Sequence, residues 1–367
     1  MVIIARRGCS VVVTRLLPKQ KITGSSPVTR FVMNWLKRLL GSEPTGSESE
    51  PSPTQVSSQP TSTTDSGDAS VITRRVLVLI HNPIIEQEGG RKLNQVMGWN
   101  DPDQLAQQYI RDVGEASWGR VRYEIAERVE IDGFPTKVDG FAYTDASYLQ
   151  AWRSRSGFHQ PDAVFYPELL QRVNFIHKLE AGLVDELWLF AFPYAGYFES
   201  CMGGRGAIWC NGTIIPGTER ASRKFVVMGF NYERGVGEML EDLGHRAENI
   251  MAHVFQRVPP QANLWQRFIQ YDKTDPGRAA CGNVHFAPNS RSDYDWGHTR
   301  TVLSTADDWL SYPNLTGQAR PMTCADWGRG DIRLHHIWWM QRFPHVAGSN
   351  EYGIAHNWWR YIVGLEF

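Results

Sequence analysis

Three apolar runs constrain this chain most: the segments 75–80, 186–192 and 224–230 each open on one charged residue, Arg75, Glu186 or Lys224, and then carry Val, Ile, Leu, Met, Ala, Gly and aromatic residues without polar interruption, not at every second position. A strand with that pattern needs cover on both faces, and such strands belong to parallel sheets. Between and after them lie segments of helical spacing: 102–117 behind the Asn100/Asp101 cap, then 145–153, 166–181 and, past the third run, 235–256, while 121–129 alternates as a strand. Strands separated by helices predict an α/β fold, a mostly parallel sheet with helices on both faces. No internal repeat is visible.

The pattern also sets the boundaries. No apolar run approaches the roughly 20 residues that span a bilayer, so a soluble body is expected. Residues 1–40 carry eight Lys and Arg and no acid. They lack an apolar stretch followed by a small-residue cleavage site, so no signal peptide is read there. Met33 opens a short basic amphipathic segment, and translation is expected to start there. In residues 41–70, 21 of 30 positions are Gly, Ser, Thr or Pro, which predicts a flexible linker. An α/β core is expected over 71–258. Beyond 259 the alternation is lost, and eight of the 14 tryptophans fall there. Residues 259–367 are read as an irregular aromatic cap packed on that core. With 38 Lys and Arg against 39 Asp and Glu, no bulk positive charge favours nucleic acid. The five cysteines form no CxxC pair, which argues against a cysteine metal site. Cys201 and Cys210 are either bridged or free.

Ligands of open parallel sheets bind beyond the carboxyl ends of the strands. The first strand runs into His81, the second apolar strand is followed by Glu199, and the third by Glu233 and Arg234, with Glu238 at the start of the next helix. These are the candidate catalytic groups: Glu199, Glu233 or Glu238 as general acid or base, His81 or His245 as proton shuttle or ligand, Arg234 as holder of an anionic group. Gly229, Gly235 and Gly237 lie around that turn, but neither GxGxxG nor a P-loop is present, so no nucleotide site is inferred.

The helix over 235–256 carries the sharpest pattern. At about 100° per residue, Arg234, Glu238, Glu241, His245 and Glu248 share one side, opposite an apolar face. The ordinary reading is a solvated, ion-paired stripe. The alternative is a divalent metal such as zinc on Glu241, His245 and Glu248, completed by His285 or by Asp293 or Asp295. The two separate on one condition: a stripe roofed by the C-terminal segment must find partners for its charges. His245 lies about 10 Å along the axis from Glu238, so one compact site cannot use both. There is no HExxH and no GxSxG, which excludes a zincin motif and a serine nucleophile elbow.

Residues 229–248, His285-Phe286-Ala287-Pro288-Asn289, 293–297 and 357–362 resemble a family of bacterial α/β proteins, many secreted and some joined to carbohydrate-binding modules, with no established activity to carry over. The resemblance implies an extracytoplasmic setting and a polysaccharide or cell-envelope ligand. The resulting expectation is a hydrolase on such a substrate, with a non-catalytic glycan binder using the Trp-rich region as the alternative.

Overall fold

The computed structural model describes residues 70–367. The basic segment, the Met33 start and, except for Ser70, the linker therefore lie outside the described residues. Five strands form the main sheet: β1 (Ile72–His81), β2 (Val121–Ile131), β3 (Glu186–Ala191), β4 (Ser200–Gly203) and β5 (Phe225–Asn231), in the order β2-β1-β3-β5-β4. β2, β1, β3 and β5 run parallel, and β4 closes the edge antiparallel to β5.

Successive side chains of a strand point to opposite faces, and here each face feeds its own core. Val76, Val78, Ile80, Trp188, Phe190, Met228 and Phe230 belong to one apolar cluster. Leu77, Leu79, Leu187, Leu189, Phe225 and Val227 belong to the other. This is why the strands read as unbroken apolar runs. The second face is covered by the helices Tyr166–Arg172 and Phe175–Glu180. They were expected as one helix, but the chain breaks at Asn174, whose φ is 50°, a left-handed conformation that Asn tolerates.

The first face is covered by α1 (Pro102–Ala116), α2 (Val236–Val254) and α3 (Ile332–Met340). α1 starts where Asp101 accepts the Gln104 N–H at 3.0 Å, with Pro102 in the first turn. α2 starts at Gly235, whose N–H donates to the Glu238 carboxylate at 3.2 Å. One buried ion pair ties α2 to the sheet: Arg246 Nη1 lies 2.6 Å from Glu186 Oε1, and Arg246 Nε donates to the Ile362 carbonyl at 2.8 Å.

All eight tryptophans of residues 259–367 are buried. Phe268 alone meets Trp309, Trp339, Phe343 and Trp358 at ring-centroid distances of 5.0–6.0 Å. The aromatic segment is thus packed into the same apolar cluster as one face of the sheet. Cys201 and Cys210 are free, buried thiols. Among the described residues no helix is long and apolar enough to cross a membrane.

Candidate metal centre

The ionic stripe of α2 is roofed. The segment 283–296 lies over it, anchored where the Val284 N–H donates to Glu248 Oε1 at 3.2 Å and the Trp296 Nε1–H donates to the Val284 carbonyl at 3.2 Å. Approach is close because Gly244 offers no side chain; a Cβ there would stand 2.6 Å from a Val284 methyl. Glu241 is left only 4% exposed. An acid so buried needs partners, and it finds them in imidazoles.

Glu241, His245 and His285 converge on one point. His245 Nε2 lies 3.1 Å from His285 Nε2, His285 Nε2 lies 3.2 Å from Glu241 Oε1, and His245 Nε2 lies 3.8 Å from Glu241 Oε1. Ligand atoms on a tetrahedral zinc, at bonds of about 2.0–2.2 Å, stand roughly 3.3–3.5 Å apart. The three edges straddle that length. Two imidazoles and a carboxylate are also a donor set that zinc accepts.

The ring behind each donor atom is oriented by a second carboxylate. His245 Nδ1 lies 3.0 Å from Glu248 Oε2, and His285 Nδ1 lies 3.0 Å from Asp293 Oδ1. An acceptor at Nδ1 keeps the proton there and turns the Nε2 lone pair inward, the arrangement that metal-binding histidines require. Glu248 therefore stands behind His245, outside the three converging atoms.

Without an ion, a proton holds the group together. Burial alone would depress the His245 imidazolium, but the carboxylates around it, Glu241, Glu248 and Glu199, outweigh it and raise its pKa to about 10. The protonated ring then donates from Nε2 toward His285. A divalent cation would replace that proton with a larger charge in the same place.

The remaining sequence candidates divide among three places. Glu199 joins the centre: its Oε2 lies 4.0 Å from His245 Nε2, its side chain is 42% exposed, and Asn211 donates to it. Glu233, Arg234 and Glu238 gather at the start of α2, with Arg234 Nε 3.2 Å from Glu233 Oε2 and Arg234 Nη1 3.8 Å from Glu238 Oε1. Glu238 is occupied in capping α2, and burial raises its pKa. His81 is fully enclosed, paired with the Tyr197 hydroxyl at 2.7 Å, and burial pushes its pKa down to about 3. Burial thus keeps the His81 ring neutral near pH 7, held against Tyr197 at the end of β1. Asp295 accepts the Arg291 N–H at 2.9 Å and shapes the loop.

Sequence reading did not single out Tyr294. Its hydroxyl donates to Glu241 Oε1 at 3.0 Å and lies 3.0 Å from His285 Nε2. Spacing gave no signal for it, because the loop that delivers it has no period. Comparison with protein-family models, curated proteins and solved structures finds no match to this chain.

Proposed function

We propose that the protein is a metal-dependent hydrolase whose divalent ion, with zinc as the best fit, is held by Glu241, His245 and His285. The observation that carries this reading is the pair of imidazoles, each backed at Nδ1 by its own carboxylate, with both Nε2 atoms facing one buried glutamate oxygen. A divalent ion there would supply Lewis acidity and activate water at neutral pH. Glu199, partly exposed and beside His245, is the group placed to take the proton of the attacking water. Asn211 fixes its carboxylate.

The charge of the site argues for the substrate class. Glu199, Glu241, Glu248 and Asp293 outnumber the two positive charges of an ion, so a polyanion would be repelled. A neutral glycan or a cell-envelope ester or amide fits better, in line with the polysaccharide context implied by the resemblance. The glycan-binding alternative needs a row of exposed rings, and the tryptophans of 259–367 face inward.

The test is turnover of cell-envelope polysaccharide by the zinc-loaded full chain, followed by mass spectrometry of released products. Products formed only with metal, and lost in Glu199→Gln at unchanged metal content, are expected. Zinc-loaded protein that releases nothing would overturn the hydrolase reading.

A further inference from the structure

The loop that carries Asp293 places a second group on His285. Asp293 meets Nδ1 at 3.0 Å, and the hydroxyl of the next residue, Tyr294, meets Nε2 at 3.0 Å. The same hydroxyl lies 3.0 Å from Glu241 Oε1, which itself lies 3.2 Å from His285 Nε2. With the His285 proton held on the Asp293 side, these three atoms turn lone pairs toward one point, where the metal-free protein has the phenol hydrogen and the His245 Nε2–H. A cation at that point would accept all three lone pairs together. The distances of 3.0 Å also approach the roughly 3.3–3.5 Å edge of a tetrahedral ligand set.

The backbone is committed to this placement. Tyr294 has φ 59°, a left-handed conformation costly for a bulky side chain and held only where the surroundings over-determine it. Its N–H donates to the His285 carbonyl at 3.1 Å, the Ser290 hydroxyl donates to the Asp295 carbonyl at 2.8 Å, and its ring packs edge-on against Trp296.

Resting on the metal reading above, we propose that the Tyr294 oxygen is a fourth donor to the ion, its phenol proton passing to solvent as the ion binds and returning from solvent when an incoming ligand displaces it. Four protein donors make a closed site, whereas a catalytic zinc keeps one position open. Tyr294 is the donor to yield: Glu241 and His245 are fixed in α2 and His285 is held from behind by Asp293, whereas the phenol can leave by side-chain rotation with its backbone in place. The tyrosine thus guards the centre until substrate oxygen takes its place.

Copper(II) is the probe, because a coordinated phenolate gives a visible charge-transfer band that imidazole and carboxylate do not. The full chain loaded with one equivalent of copper(II) is expected to show the band. Tyr294→Phe is expected to lose it while binding the same amount of copper. Azide is expected to bleach the band and to bind Tyr294→Phe more tightly, having no phenolate to displace. A wild-type protein that binds copper without the band, a band that survives in Tyr294→Phe, a band that azide leaves intact, or equal azide affinity in both proteins would overturn the proposal and leave the metal site standing. No copper uptake by either protein would overturn the metal reading beneath it.

Discussion

At His245 two opposing effects meet on one ring: burial resists its charge, and three carboxylates demand it. The sign of the pH dependence follows. The pKa of the metal-free folded protein, about 10, exceeds the ordinary histidine value of about 6.5. The stabilisation from His245 is therefore complete below about pH 6.5 and is lost as pH rises through about 10. Thermal melts of chelator-treated protein should fall across that interval, and His245→Gln should flatten the fall; parallel curves would show that His245 is not the group responsible. The carboxylates behind the imidazoles act on affinity. Glu248→Gln and Asp293→Asn should each weaken zinc binding by about 10–100-fold, read by competition with a chromogenic chelator, and unchanged affinity would remove them from the centre. The i,i+4 and i,i+3 spacing on one helix made Glu241, His245 and Glu248 legible in the sequence, with His285 as a possible completion. The proposed division of labour between Glu241 as donor and Glu248 as support was not legible, because it depends on which nitrogen each carboxylate reaches. Tyr294 was not legible either, since its position depends on a left-handed backbone angle.

Among the elements, α2 carries the argument, because its packing sets where His285 can stand. A Cβ on Gly244 would lie 2.6 Å from a Val284 methyl and 3.5 Å from the Trp339 ring, and Val284 immediately precedes His285. Val is stiff at χ1 and cannot easily turn away. Gly244→Ala should cost about 1–3 kcal/mol through overpacking and weaken zinc binding as well. Gly114→Ala in α1 meets nothing within 4 Å and should be neutral or stabilising by up to about 1 kcal/mol. Urea titrations of both variants compare them directly; equal midpoints would contradict the packing account. Arg246→Met removes the ion-pair partner of the buried Glu186 carboxylate, leaving it the Trp188 Nε1–H at 3.2 Å, and should cost about 3–5 kcal/mol by the same urea titration. The strands and most helices were readable because continuous apolar runs and 3.6-residue periods have one geometric meaning. β4 and α3 escaped. The four residues of β4 are too few to show a period, and in Ile332–Met340 every position from His335 to Met340 is buried while the exposed position is a leucine, Leu334, so no polar face marks the helix.

Across the whole molecule, the structure encloses histidines that do not ionise. His81, His335 and His336 are buried, and burial depresses each pKa, to about 3 for His81 and about 4 for His336. Here the folded pKa lies below the unfolded value of about 6.5, so unfolding takes up protons and stability falls as pH drops from about 6.5 toward 4. Chemical unfolding at pH 7 and pH 5 should show this loss, and equal stability would contradict it. The tryptophan excess, read from composition as either cap or ligand platform, is resolved as packing: the rings fill one side of the sheet and bring 283–296 down onto α2. Everything functional follows from that roofed stripe binding an ion. Calorimetric titration of chelator-treated full chain with zinc addresses it most directly. One zinc per chain is predicted, abolished in His245→Ala/His285→Ala with the circular dichroism of the native fold preserved. A chain that binds no zinc, or a double variant that binds it as the wild type does, would contradict the account.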